Sequence, residues 1–267
     1  MDSAKEGYKY IIESYQTLNE FEWETTMHIP FQAASPNPLT PRFIRMKVKD
    51  EEKFVFLELE VNKEMTLKII DLLKDSQGFT RWFFEGPQGI GKSFTFLHLV
   101  LALRRFWNKE FRVIYINNPS YWKLRPWSYI VNEVIYAFAE DEKQFSALST
   151  TITKFTLEQW YEHLSQAEIS DRKVIFQEFL EVAQRYCAQQ GLKLLGVLDQ
   201  ENEIGDMMEQ KNYEFPFSCY NNIPGADYLI TCASANNWST LKKTQSFQDL
   251  RSRIKIPFEK FAFPGKL

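Results

Sequence analysis

The sequence predicts a three-layer α/β sandwich built on a mostly parallel central sheet, and three observations carry that prediction. An apolar run, Arg81-Trp82-Phe83-Phe84, leads into a glycine-rich stretch, and a helical run from Phe94 to Phe106 leads out of it. From Val61 onward, strand-like and helical segments alternate, the pattern left by parallel strands joined through crossover helices. The apolar segment Leu192 to Leu198 then ends abruptly in Asp199.

Residues 1–60 read as an N-terminal extension, and residues 61–267 as the main domain. Tyr8, Ile11, Ile12, Tyr15 and Leu18 recur at helical spacing, which predicts an amphipathic helix over residues 5–20. Pro30, Pro36, Pro38 and Pro41 make residues 28–42 a loop or draped arm, because proline removes backbone donors. Arg42 to Lys49 and Phe54 to Glu60 read as two strands of a hairpin around Asp50-Glu51-Glu52-Lys53.

In the main domain a helix over Lys63 to Lys74 precedes the strand Arg81 to Glu85. The strand Arg112 to Asn117 follows the glycine-rich unit, punctuated by its tail Asn117-Asn118-Pro119, and a helix spans Ser128 to Glu140. Residues 141–153 are polar and read as a loop. Helices over Leu157 to Ala167 and Ser170 to Gln189 lead to Gly191, a good helix stop. Strands over Leu192 to Leu198, Asp227 to Ala233 and Arg253 to Phe258 complete the set.

The bulk composition excludes more than it selects. At 267 residues the chain is long enough for a sizeable core, and its formal net charge of -3 offers no global electrostatic case for nucleic acid. Aromatics make up 16% of the residues, with 23 Phe, enough to fill a core and still form a surface for a protein partner. Cys187, Cys219 and Cys232 are odd in number and far apart, so neither a disulfide framework nor a metal site follows, and a reducing compartment is expected. His28, His98 and His163 are scattered, with His98 read as a packed or surface residue. No apolar run marks a signal peptide or approaches the roughly 20 residues of a membrane span, so a soluble intracellular protein is expected.

The chemistry lies in Glu85-Gly86-Pro87-Gln88-Gly89-Ile90-Gly91-Lys92-Ser93, which holds a full Gly-x-x-x-x-Gly-Lys-Ser phosphate-binding pattern between strand and helix. Glycines let the backbone curl so that its N–H groups converge on phosphate oxygens, and the helix N-terminus adds partial positive charge. Gly86, Pro87, Gln88, Gly89, Ile90, Gly91, Lys92, Ser93 and Phe94 are therefore the expected nucleotide cradle. Lys92 is expected at the β- and γ-phosphates and the Ser93 hydroxyl on Mg2+. Asp199, pushed out by an apolar strand, is the expected second Mg2+ partner. A whole strand–helix unit, Arg112 to Glu140, separates the loop from this acidic strand. That spacing fits the branch of phosphate-loop (P-loop) NTPases with an inserted strand, the ASCE type, whose usual strand order is 5-1-4-3-2.

Many ATPases of that branch follow the metal-binding aspartate with a glutamate that polarises the attacking water. Here the position is Gln200, an amide that can orient water but cannot take its proton. Side chains alternate along an extended end, so Glu201 need not face the site that Gln200 faces, and Glu201 or Glu203 serves as base only if the turn presents it. Ser234, Asn236 and Asn237 are candidates for sensing the γ-phosphate or its water, or for capping the next helix. Arg251 and Arg253 are candidates for stabilising charge on a transferring phosphate, or ordinary solvated side chains. The guanine-reading sequence Asn-Lys-x-Asp is not found, which favours ATP over GTP.

Taken together these residues resemble the NTPase domain of Crinkler-type effector proteins. The resemblance covers about residues 55–267 and rests on four blocks: Gly-Pro-Gln-Gly-Ile-Gly-Lys-Ser at 86–93, Arg-Val-Ile-Tyr-Ile-Asn at 112–117, Leu-Asp-Gln-Glu-Asn at 198–202 and Ala-Ser-Ala-Asn-Asn at 233–237. It implies an ATPase similar to AAA+ and STAND proteins, nucleotide on Gly86 to Ser93, metal on Asp199, and Asn202 completing the acidic block. It also implies action inside host cells, in cytoplasm or nucleus, on a protein partner of the host, with homo-oligomers left open. The family's N-terminal translocation header, helical lid and C-terminal effector domain have no counterpart in this sequence, so nucleic acid is expected only through a domain that is absent. Two other classes stay open: a non-hydrolysing nucleotide-binding interaction module, which Gln200 favours, and a small-molecule phosphotransferase, for which no acceptor signature exists.

Overall fold

The computed structural model describes residues 2–19, 26–36, 53–57, 60–75, 80–85, 91–117, 126–147, 155–199, 228–232 and 254–257. Helices are α1 (Asp2–Gln16), α2 (Phe31–Ala34), α3 (Glu60–Asp75), α4 (Lys92–Phe106), α5 (Pro126–Ala137), α6 (Glu142–Ala147), α7 (Leu157–Gln166) and α8 (Arg172–Gln190). Strands are β1 (Thr26–Pro30), β2 (Lys53–Leu57), β3 (Thr80–Glu85), β4 (Phe111–Ile116), β5 (Lys193–Leu198), β6 (Tyr228–Cys232) and β7 (Ile254–Pro257). Five strands form one sheet in the order β4-β5-β6-β3-β7, with every neighbouring pair parallel. Counting β3 to β7 as strands 1 to 5, that order reads 5-1-4-3-2 from the β7 edge.

The pleat sorts the apolar residues of β4 and β5 onto two faces. Ile114, Ile116, Leu194 and Leu198 join one cluster with α5, α7 and α8. Val113, Tyr115, Leu195 and Val197 join the other with α3 and α4. Successive side chains of a strand point to opposite faces, so a strand buried on both sides must be apolar at every position. Phe111 to Ile116 obeys this, being buried throughout. The same logic applies to α4, where Phe96, Leu97, Leu99, Val100, Leu101 and Leu103 are all inaccessible. A helix apolar on every side belongs in an interior, and each such side chain contributes about 1.5–3 kcal/mol by leaving water.

The N-terminal segment is part of this core. Tyr8 and Ile11 of α1 enter the first cluster, while Leu18, Ile29 and Ala33 enter the second. The Tyr8 hydroxyl donates to Glu142 at 2.9 Å and that of Tyr15 to Glu140 at 2.9 Å. Two expectations are corrected here. Part of the proline-rich arm is ordered: β1 pairs antiparallel with β2, Thr26 opposite Leu57 and Pro30 opposite Lys53, and α2 follows directly. Proline is tolerated in a strand where its missing N–H is not required, and the burial of Ile29 outweighs it. The expected hairpin partner, residues 42–49, lies outside the described residues. The expected loop over 141–153 begins instead with α6, because Phe145 is buried against Phe138, Phe179 and Tyr186, and that aromatic anchor overrides the polar composition around it.

Helix ends show where local chemistry suffices. Thr156 and Gln159 make a reciprocal capping box at the start of α7. The Lys193 ammonium donates to the Leu73 carbonyl at 2.9 Å, which satisfies the carboxyl end of α3. Gly191 closes α8 at φ +68°, a left-handed conformation costly for any residue with a Cβ. Gly191→Ala is expected to lower stability by about 1–2 kcal/mol by urea unfolding, since no atom lies within 4 Å of the added Cβ and strain is the only cost.

Candidate functional site

Because the five strands are parallel, all their carboxyl ends lie along one edge of the sheet. Ligands of open α/β sheets gather outside that edge, near the point where the chain departs in opposite directions. Here β3 is that point, with β6 on one side and β7 on the other. The helix after it, α4, begins at Gly91, whose φ of +98° is left-handed and whose side is open, with nothing within 4 Å of an added Cβ. The Gly91 carbonyl accepts from Thr95 N–H at 2.9 Å, so the helix is already wound at its first residue. The N-cap itself, a glycine, has no side chain to offer this N-terminus.

Lys92 and Ser93 occupy the first turn and are 7% and 9% exposed, unusual burial for a lysine and a serine. Asp199 follows the last residue of β5, is 1% exposed, and donates its N–H to the Ile116 carbonyl at 3.0 Å. That bond prolongs the β4–β5 ladder by one step beyond the Ile116–Leu198 pair. Continued by one residue, the pleat gives Asp199 the parity of Leu195 and Val197, which face α4. Among the described residues no three His, Cys, Asp or Glu side chains gather to hold a metal unaided. A hydroxyl and one carboxylate suit Mg2+, which takes few protein oxygens and completes its shell with water and phosphate.

The helix carrying Lys92 is braced along its length. His98 Nδ1 shares a 2.7 Å hydrogen bond with the Thr66 hydroxyl of α3, so of the packed and surface readings the packed one holds. Arg104 donates to the Val113 carbonyl at 3.0 Å, stands 3.8 Å from the Glu133 carboxylate, and lies over the Tyr136 ring. Ser35, next to α2, donates to Glu133, and Tyr136 donates to the Gln32 carbonyl at 2.9 Å. The N-terminal segment thereby reaches the helices behind the site.

Burial pushes the Tyr136 phenol above its ordinary value of 10.0, with Arg104 opposing and Glu133 adding to the rise. A phenol raised in the folded state contributes stability fully present below pH 10 and lost as pH climbs toward the folded value. Each such group steepens the alkaline loss by up to about 1.4 kcal/mol per pH unit. Tyr136→Phe is therefore expected to flatten the fall in unfolding free energy above pH 10 by about that slope, read by urea titrations at stepped pH.

Of the residues expected to carry chemistry, Gly91, Lys92, Ser93 and Phe94 stand at the start of α4 and Asp199 at the end of β5. Gly86, Pro87, Gln88, Gly89 and Ile90 lie outside the described residues, as do Gln200, Glu201, Glu203, Ser234, Asn236, Asn237, Arg251 and Arg253. One residue that the sequence left as strand punctuation is prominent. Asn117 directly follows β4, is 0% exposed, and accepts a hydrogen bond from the Tyr129 hydroxyl of α5. The available signal was a carboxamide at the carboxyl end of an otherwise apolar strand.

Among the described residues no helix is long and apolar enough to cross a membrane. No protein-family model matches the chain, and no curated protein matches it. Among solved structures, the chain is similar to a Walker-type ATPase of Pyrococcus abyssi at 13% identity and a TM-score of 0.41, over 74% of this chain and 53% of that one. This chain thus spans about half the length of that protein.

Proposed function

We propose that the chain binds a nucleoside triphosphate with Mg2+ at the carboxyl edge of its sheet, ATP in preference to GTP, as a P-loop NTPase module that works as a switch. The observation that carries this reading is the burial of Lys92 and Ser93, which close the Gly-x-x-x-x-Gly-Lys-Ser stretch at the start of α4, and of Asp199 at the end of β5. The residues present fit the ligand. Gly91 leaves open space beside the N-terminus of α4, and the buried Asn117 amide nitrogen has no hydrogen-bond partner. Lys92 would hold the β- and γ-phosphates, the first-turn N–H groups of α4 would receive phosphate oxygens, and Ser93 and Asp199 would hold the cation. Mg2+, when bound, supplies charge neutralisation across the phosphate oxygens.

Gln200 can orient a water but not deprotonate it, so turnover needs Glu201 or Glu203 as the base, and Arg253 and Asn236 are the further candidates for the γ-phosphate. Gln200 also favours the second reading, a module that binds nucleotide without hydrolysing it. The resemblance of four sequence blocks to Crinkler-type NTPase domains supports an effector context with a protein partner whose docking face depends on the bound nucleotide.

The test is a nucleotide panel read by thermal unfolding with and without Mg2+. Stabilisation by ATP with Mg2+, stronger than by GTP, is expected, and no stabilisation by any nucleotide would end the proposal. Phosphate release by wild type and by Asp199→Ala then separates hydrolysis from binding.

A further inference from the structure

The Asn117 carboxamide has a donor that its surroundings do not use. Its Oδ1 accepts from the Tyr129 hydroxyl. Its Nδ2 is buried and has no hydrogen-bond partner. A buried donor left unpaired costs about 1–3 kcal/mol, so one that persists calls for an explanation such as an ion, a water or a catalytic role. The location supplies one. Ile116 and Leu198 are paired in the parallel ladder, and Asp199 N–H bonds the Ile116 carbonyl. Asn117 and Asp199 are thus the next residues of adjacent strands, about 4.8 Å apart across the ladder. Both are fully buried, on the edge that holds Lys92 and Ser93.

An amide N–H cannot ligate a cation. It can only donate, and the residue beside it in the ladder, Asp199, carries a carboxylate. We propose that Asn117 is a positioning residue for Asp199, with Tyr129 as its orienting partner. The Tyr129 hydroxyl holds Oδ1, and Nδ2, which bonds nothing in the structure, would donate to the Asp199 carboxylate when that side chain turns to Mg2+. The arrangement is a second layer of support around the cation, of the kind that usually governs metal affinity. It rests on the proposed nucleotide–Mg2+ reading of the site.

The test titrates Mg2+ into wild type, Tyr129→Phe and Asn117→Leu in the presence of a non-hydrolysable ATP analogue, with thermal unfolding as the readout, and repeats the analogue titration in EDTA. Both variants are expected to need roughly tenfold more Mg2+ for half of the metal-dependent stabilisation. Stabilisation by the analogue in EDTA should be unchanged, a split that general loosening of the fold would not produce. Tyr129→Phe removes a single oxygen and keeps the ring, so the test survives if Asn117→Leu does not fold. Unchanged Mg2+ midpoints, beside a wild type that responds to Mg2+, would overturn the positioning role alone. A wild type that responds to no nucleotide overturns the nucleotide reading and this role with it.

Discussion

Lys92→Ala is expected to abolish the thermal stabilisation conferred by ATP with Mg2+. A ligand that binds only the folded state adds about 2.7 kcal/mol at roughly 100 times its Kd, which for a domain of this size raises Tm by about 5–10 °C. Lys92 stands at the first turn of α4 with 7% exposure, so its ammonium belongs to the edge rather than to bulk solvent. Removing it takes away the point charge that neutralises the β- and γ-phosphates, while the backbone donors of α4 stay in place. Truncation also removes the buried stem, so the unliganded protein is expected to melt somewhat lower. Lys92→Met separates the two effects, because it retains a stem of similar length without the charge. Loss of the nucleotide shift in Lys92→Met, with the unliganded Tm near that of wild type, is the expected result. A shift that survives in both variants would place the nucleotide elsewhere.

The second large effect is structural. Asp141→Ala is expected to cost about 3–5 kcal/mol, because it strips the partner from a buried guanidinium. Arg112, at the start of β4, engages Asp141 with both arms of its fork: Nη2 donates to Oδ1 at 2.6 Å, and Nε donates to Oδ2. A further nitrogen donates to the Phe111 carbonyl at 2.9 Å. Burial works against the charge of Arg112, but the Asp141 hydrogen bonds and carboxylate outweigh it, so the guanidinium is held charged more firmly than usual. Two buried charges in good geometry offset each other's desolvation, whereas one alone does not. Replacing both, as in Arg112→Met with Asp141→Leu, is therefore expected to be less damaging than Asp141→Ala alone. Urea unfolding of the single and double variants measures the difference, and equal losses would mean that the side chains matter for packing rather than for charge.

Much of the scaffold was legible in the sequence. The helices over 63–74 and 94–106 and the strands around 81–85, 112–117 and 192–198 differ from the observed elements only by a few residues at their ends. These segments carry strong periodicity or uninterrupted apolar runs, and Gly191 marks its helix end by backbone chemistry alone. The failures share one cause. Residues 26–34 and 142–147 look polar or proline-broken locally, yet they form β1, α2 and α6 because Ile29, Ala33 and Phe145 find buried partners far away in the chain.

The place where phosphate chemistry is concentrated can be read from neighbouring residues alone. A Gly-x-x-x-x-Gly-Lys-Ser stretch is a local device, with backbone torsions, helix start and charged side chains all within eight consecutive residues, so no distant contact is needed to read it. What stands around that device depends on long-range packing. The parallel ladder between β4 and β5 brings Asn117 beside Asp199, and the packing of α5 brings the Tyr129 hydroxyl onto the Asn117 amide. Neither follows from spacing, because strand neighbours are chosen by the burial of whole faces and not by the distance between residues along the chain.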